Sequence, residues 1–144
     1  MHMQPAARDK LIVAAGNGSN GINLLLNAND GTGALGASAP YAAGPTTNDV
    51  VLADVDGKNG LDIVVGDANG NVYVLLNDSH GVFGTAKGPY ATGSAVLAVA
   101  AADFNEDGAI DIATANSSTN NASILFNDGS GGSSPAPRAR RRSH

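Results

Sequence analysis

The feature that most limits what this chain can fold into is that it repeats itself. Three segments close alike, Ile22-Asn-Leu-Leu-Leu-Asn27, Val72-Tyr-Val-Leu-Leu-Asn77 and Ala122-Ser-Ile-Leu-Phe-Asn127, so their final asparagines fall 50 residues apart, twice. Pro40-Tyr-Ala-Ala-Gly44 returns as Pro89-Tyr-Ala-Thr-Gly93, and Ala53-Asp54 returns as Ala102-Asp103, each after 49 residues. Independent landmarks that agree on one period define a repeat, and the repeat decides the architecture.

Within each period, short apolar runs alternate with Asn, Asp, Gly and Ser. The chain holds 19 Gly, no Trp and only 4% aromatics. That is the pattern of strands joined by tight turns, and the fold class is all-β. The middle copy predicts four strands, at 50–55, 61–66, 72–76 and 82–86. A repeated four-stranded antiparallel unit of this length is a β-propeller blade. The first copy predicts strands at 11–15, 22–26 and 35–38 and lacks a first strand. The third runs from 95 to about 127 with no fourth strand. The expected organisation is a lead at 1–9, a partial blade at 10–48, a complete blade at 49–94, a partial blade at 95–132 and a disordered arginine-rich tail at 133–144. About 2.5–3 blades do not close a ring, which takes about four. The chain is therefore either an arc of a longer protein or a unit that associates with other copies through its exposed terminal blades.

The loop between the first two strands carries the chemistry. In Asp103-Phe-Asn-Glu-Asp-Gly-Ala-Ile-Asp111, oxygen-bearing side chains stand at positions 1, 3, 5 and 9: Asp103, Asn105, Asp107 and Asp111. Gly108 holds position 6, where the backbone must turn sharply. The Ala109 carbonyl at position 7 is the natural fifth ligand. Ca²⁺ takes six to eight oxygens at roughly 2.3–2.6 Å from such groups. An EF-hand opens similarly but needs Glu at position 12, and position 12 here is Thr114. A metal-free hairpin stitched by Asp and Asn side chains is the alternative, but three carboxylates in one small loop repel unless a cation lies between them. The earlier loop, Asp54-Val-Asp-Gly-Lys-Asn-Gly-Leu-Asp62, keeps Asp54, Asp56 and Asp62 at positions 1, 3 and 9, with the Gly60 carbonyl at position 7 and Lys58 at position 5. Two readings of Lys58 stand side by side. It points to solvent and leaves a weaker site, or its ammonium replaces the cation.

These loops, the Leu-Asp-Ile-Val-Val and Ile-Asp-Ile-Ala-Thr strands behind them, the Leu-Leu-Asn strand and the following turn resemble FG-GAP/VCBS repeats, the blades of integrin-α-like propellers. The resemblance covers residues 10 to about 132. It implies Ca²⁺ bound from positions 1, 3, 5 and 9 plus the carbonyl at 7, and an extracellular setting. It also implies roles in adhesion, protein or glycan binding, or as a propeller attached to a larger secreted protein.

Other classes find little support. The net charge is −5, but between residues 11 and 130 two lysines face twelve acidic residues, a balance of −10. Such a body repels nucleic acid. Arg138, Arg140, Arg141 and Arg142 lie in the tail. No run is long and apolar enough to span a membrane, the first ten residues carry no signal-peptide core, and there is no Cys. His80 stands in a turn without a second His nearby, no nucleophile–base grouping or phosphate loop is present, and no catalytic residue is expected. Sequons such as those at Asn17, Asn116 and Asn121 matter only in a eukaryotic secretory route.

Overall fold

Alternate residues of the segment Asp62–Asp67 point to opposite sides of a strand, and both sets are apolar. Ile63 and Val65 take one side, Val64 the other. A strand tolerates this only when both its faces are covered, and the segment is buried along its whole length. The structure, a computed structural model, describes residues 12–16, 21–26, 32, 34–36, 39–58, 60–78, 82–127 and 139–143. Among them there is no helix. The strands are β1 (Ile12–Gly16), β2 (Gly21–Leu26), β3 (Ala39–Ala42), β4 (Thr47–Ala53), β5 (Asp62–Asp67), β6 (Asn71–Leu75), β7 (Lys87–Ala91), β8 (Val96–Ala102), β9 (Asp111–Asn116), β10 (Asn121–Leu125) and β11 (Ala139–Ser143).

They form three antiparallel meanders, β1-β2-β3, β4-β5-β6-β7 and β8-β9-β10-β11, with no closed barrel. Each sheet is a partial or complete blade, as the repeat predicts. The first strands lie side by side, β4 against β8, and β1 approaches β4. Two apolar clusters hold the blades together. Ile22, Leu24, Ile63, Val65 and Leu75 fill the seam between the first two blades. Val64, Val72, Val74, Val96, Val99 and Ile112 fill the seam between the second and third. Burying one such side chain contributes about 1.5–3 kcal/mol. At the second seam the side chains of the third blade pack directly on the backbone of β5: a Cβ on Gly66 would stand 2.6 Å from both Val96 Cγ1 and Val99 Cγ2.

The fourth strands differ from expectation. Of the expected fourth strands, 35–38 and 82–86, residues 37 and 38 lie outside the described residues; the edge strands are instead β3 and β7, which contain the Pro-Tyr-Ala landmarks themselves. Proline cannot donate to a sheet ladder, which argues against an interior strand. On an outer edge that donor is not needed. Phe83 keeps only a single bridge to Asn77. The tail differs as well. Residues 139–143, expected within a disordered segment, form β11 along the free edge of β10, with Ala139 opposite Leu125 and Ser143 opposite Asn121. The third blade therefore has a fourth strand. Backbone groups of β10 need partners whatever the side chains opposite them, and composition alone did not reveal it. Residues 133–138 and 144, the rest of the expected tail, lie outside the described residues.

Candidate metal centre

Both acidic loops hang from the same point of successive blades. Ala53 pairs with Asp62 and Ala102 with Asp111, so each loop leaves the sheet just after an alanine and re-enters at its ninth residue. In each loop, carboxylate oxygens from three aspartates, Asp54, Asp56 and Asp62 or Asp103, Asp107 and Asp111, lie within 4.8 Å of one another.

The ninth-position aspartates are fully buried and serve as clasps. Asp62 Oδ2 accepts the N–H groups of Val55 at 2.7 Å and Asp56 at 3.3 Å, and Oδ1 accepts Asn77 N–H at 2.9 Å. Asp111 repeats the plan, accepting Phe104 N–H at 3.0 Å and Asn127 N–H at 2.9 Å. The exposed part of the later loop is wound by its own side chains. Asp103 accepts from the N–H groups of Asp107 and Gly108, Asn105 Nδ2 donates to Asp107 Oδ2, and Ala109 N–H donates to Asp107 Oδ1. Gly108 has φ 91°, the left-handed turn expected at position 6. Position 4 is left-handed too, as Gly57 at 71° and Glu106 at 61°, which the ligand pattern did not announce.

The earlier loop places Lys58 in the solvent-facing reading. Lys58 is exposed, and its backbone N–H donates to Asp56 Oδ1 at 3.0 Å. Burial, and then the Asp56 charge, pushes the Asp54 carboxyl above its usual range, against N–H bonds from Gly57 and Lys58. Burial likewise raises Asp62, with the Asn77 and Val55 N–H groups pulling it back. Asp54 Oδ1 is shut off from solvent with no hydrogen-bond partner. A buried carboxylate oxygen without a donor is costly, so this donor set fits a hard cation. Of the two loops, the one with the poorer sequence match holds the carboxylate oxygen without a donor.

Residues 54–114 match the family model described as FG-GAP-like repeat. Over this stretch the chain is similar to an FG-GAP-like repeat. The match opens on Asp54, position 1 of the first acidic loop, and closes three residues beyond Asp111, so it takes in both loops and the seam between their blades. No curated protein and no solved structure matches the chain.

The repeat brings together what the sequence singled out and adds two residue types it left unread. One is the pair Asn77 and Asn127, visible earlier only as landmarks. Asn77 Nδ2 donates to Leu61 O at 3.1 Å and Asn127 Nδ2 to Ile110 O at 2.9 Å, each bracing the eighth position of its own loop. The other is Asp67, buried at the opposite end of β5. Its Oδ1 accepts from Asn69 and Asn71 N–H, and its Oδ2 has no partner. Of the sequons, Asn116 is buried, its amide donating to Asn121 Oδ1 and Ser123 Oγ, so the folded chain does not present it. Asn17 and His80 lie outside the described residues.

Proposed function

We propose that this chain is a non-catalytic, calcium-binding repeat module of an integrin-like β-propeller, acting outside the cell in adhesion, protein binding or scaffolding. The observation that carries the reading is Asp54 Oδ1, a buried carboxylate oxygen without a donor inside a trio of aspartates, in a loop whose plan recurs one blade later. Asp103, Asn105, Asp107, Asp111 and the Ala109 carbonyl would hold one ion. Asp54, Asp56, Asp62 and the Gly60 carbonyl would hold the other. Calcium, when bound, supplies the positive charge these carboxylates lack. The chain's own part is to fix the loop: the ninth aspartate ties the loop's second residue to the strand behind it, and the carboxylates at positions 1, 3 and 9 of the earlier loop and 1, 5 and 9 of the later one converge. The extracellular placement rests on the repeat type. Among the described residues no helix is long and apolar enough to cross a membrane.

The test is thermal unfolding in millimolar calcium and in chelator. Extracellular modules bind at about 10⁻⁴–10⁻³ M, and at the tighter end millimolar calcium stabilises by about 1.5 kcal/mol per site. Identical melting in both conditions overturns the reading.

A glycan-binding role is the second reading. A hollow of about 310 Å³ at the rim between the first two blades is lined by Pro40, Tyr41, Phe83 and Thr85, with Tyr41 held edge-on to Phe83 at 5.9 Å between ring centres. A glycan array separates the two: sugar binding abolished by Tyr41→Ala favours the lectin.

A further inference from the structure

The two acidic loops belong to different blades, yet one side chain ties them together. Asn127 closes the third strand of the third blade, and its buried amide reaches back across the seam. Its Nδ2 donates to Val55 O at 2.6 Å as well as to Ile110 O in its own blade. Val55 is position 2 of the earlier loop and is buried, 2% exposed. Its N–H is bound by Asp62, position 9 of that loop. The backbone N–H of Asn127 is in turn bound by Asp111, position 9 of the later loop. The connection therefore runs without a gap from Asp62, through the N–H and C=O of Val55 and the Asn127 side chain and backbone, to Asp111.

We infer that Asn127 is a positioning residue that couples the two loops, so that calcium held by one raises the affinity of the other. This rests on the calcium reading above. The physical reason is shared ordering. Each loop must fix its second residue and its ninth carboxylate before its ligands converge. Fixing Val55 fixes the acceptor of the Asn127 amide, which places the N–H that Asp111 needs. A second ion then finds part of its loop already ordered, and positive cooperativity follows without a large rearrangement. By reciprocity the effect is equal in both directions.

The experiment is a calorimetric titration of the whole chain with calcium alone, on the parent, Asp54→Asn, Asn127→Ala and the double variant. In the Asn127 parent, disabling the earlier loop with Asp54→Asn is expected to weaken calcium at the later loop about five-fold, at the low end of measured couplings. In the Asn127→Ala background the same change is expected to leave the later loop's affinity unaltered. Equal affinities in the presence and absence of Asp54→Asn, or a coupling that survives Asn127→Ala, overturn the inference while leaving two calcium sites intact. No calcium uptake by the parent overturns the calcium reading and the coupling with it. Asn127 is buried, so a second measurement avoids changing it. Amide exchange at Val55 and Asp56 in saturating calcium is followed in the parent and in Asp107→Ala, an exposed substitution. Faster exchange in Asp107→Ala supports the coupling, and unchanged exchange counts against it.

Discussion

Glu106 stands at φ 61°, a conformation that costs a residue with a Cβ about 1–2 kcal/mol. The equivalent place in the earlier loop is Gly57, for which it costs little. Glu106→Gly should therefore stabilise the metal-free chain by about 0.5 kcal/mol, after the extra unfolded-state freedom of glycine is subtracted; denaturant titration in chelator measures it. Lys58 faces solvent at position 5, where the later loop has Asp107. Lys58→Asp should strengthen calcium-dependent stabilisation of its loop, whereas Asp107→Ala should abolish it at the other, both read as melting shifts on adding calcium. Burial, and then the Asp67 charge, holds the Tyr73 phenol above its ordinary value, while Asp67 Oδ2 lacks a donor. One period later the same position is Asn116, a neutral side chain with every polar group paired to neighbours. Asp67→Asn removes a buried charge and should stabilise the chain by about 1 kcal/mol. It should also bring the Tyr73 titration down, seen by ultraviolet absorbance at alkaline pH.

At the level of strands and loops, the period and the alternation of apolar residues were enough to reveal the meanders. Nothing in a single strand's pattern conflicts with being buried on both faces. The acidic loops were legible because ligand spacing is a local property. What was not legible depends on neighbours distant in sequence. Proline in β3 and β7 looks prohibitive until their place at a sheet edge is known. The pairing of β11 depends on an edge left open by β10. The role of Asn127 depends on a carbonyl 72 residues away. Lys58 was ambiguous in the sequence because a flexible chain reaches either solvent or carboxylates, and only the folded loop separates the two. The seam itself makes a prediction. Gly66→Ala would push a methyl into Val96 and Val99, branched side chains that cannot swing away, and should cost about 1–3 kcal/mol. Gly84 has nothing within 4 Å of the same added atom, so Gly84→Ala should shift urea unfolding by no more than about 0.5 kcal/mol.

Among the described residues, the third blade keeps open one face that the second blade has covered. Val51, Val64 and Val72 of the second blade pack into the seam. Their counterparts Ala100, Ala113 and Ala122 line a shallow outer hollow of about 270 Å³. Phe104, the counterpart of buried Val55, is 44% exposed, and Leu97 is 59% exposed. An apolar sheet face of this kind favours association. Sedimentation should show assembly that grows with concentration and loosens in chelator. Ala115→Glu, at the exposed counterpart of Gly66, should return a monomer with unaltered melting. A monomer at all concentrations for the parent would show that this face has no affinity for a second copy. Because both halves of the seam recur within a single period, tandem duplication of one 49- or 50-residue stretch of the gene would deliver a new blade already matched to its neighbour. Lengthening the array then requires no new surface to evolve, only unequal recombination between copies that are already alike.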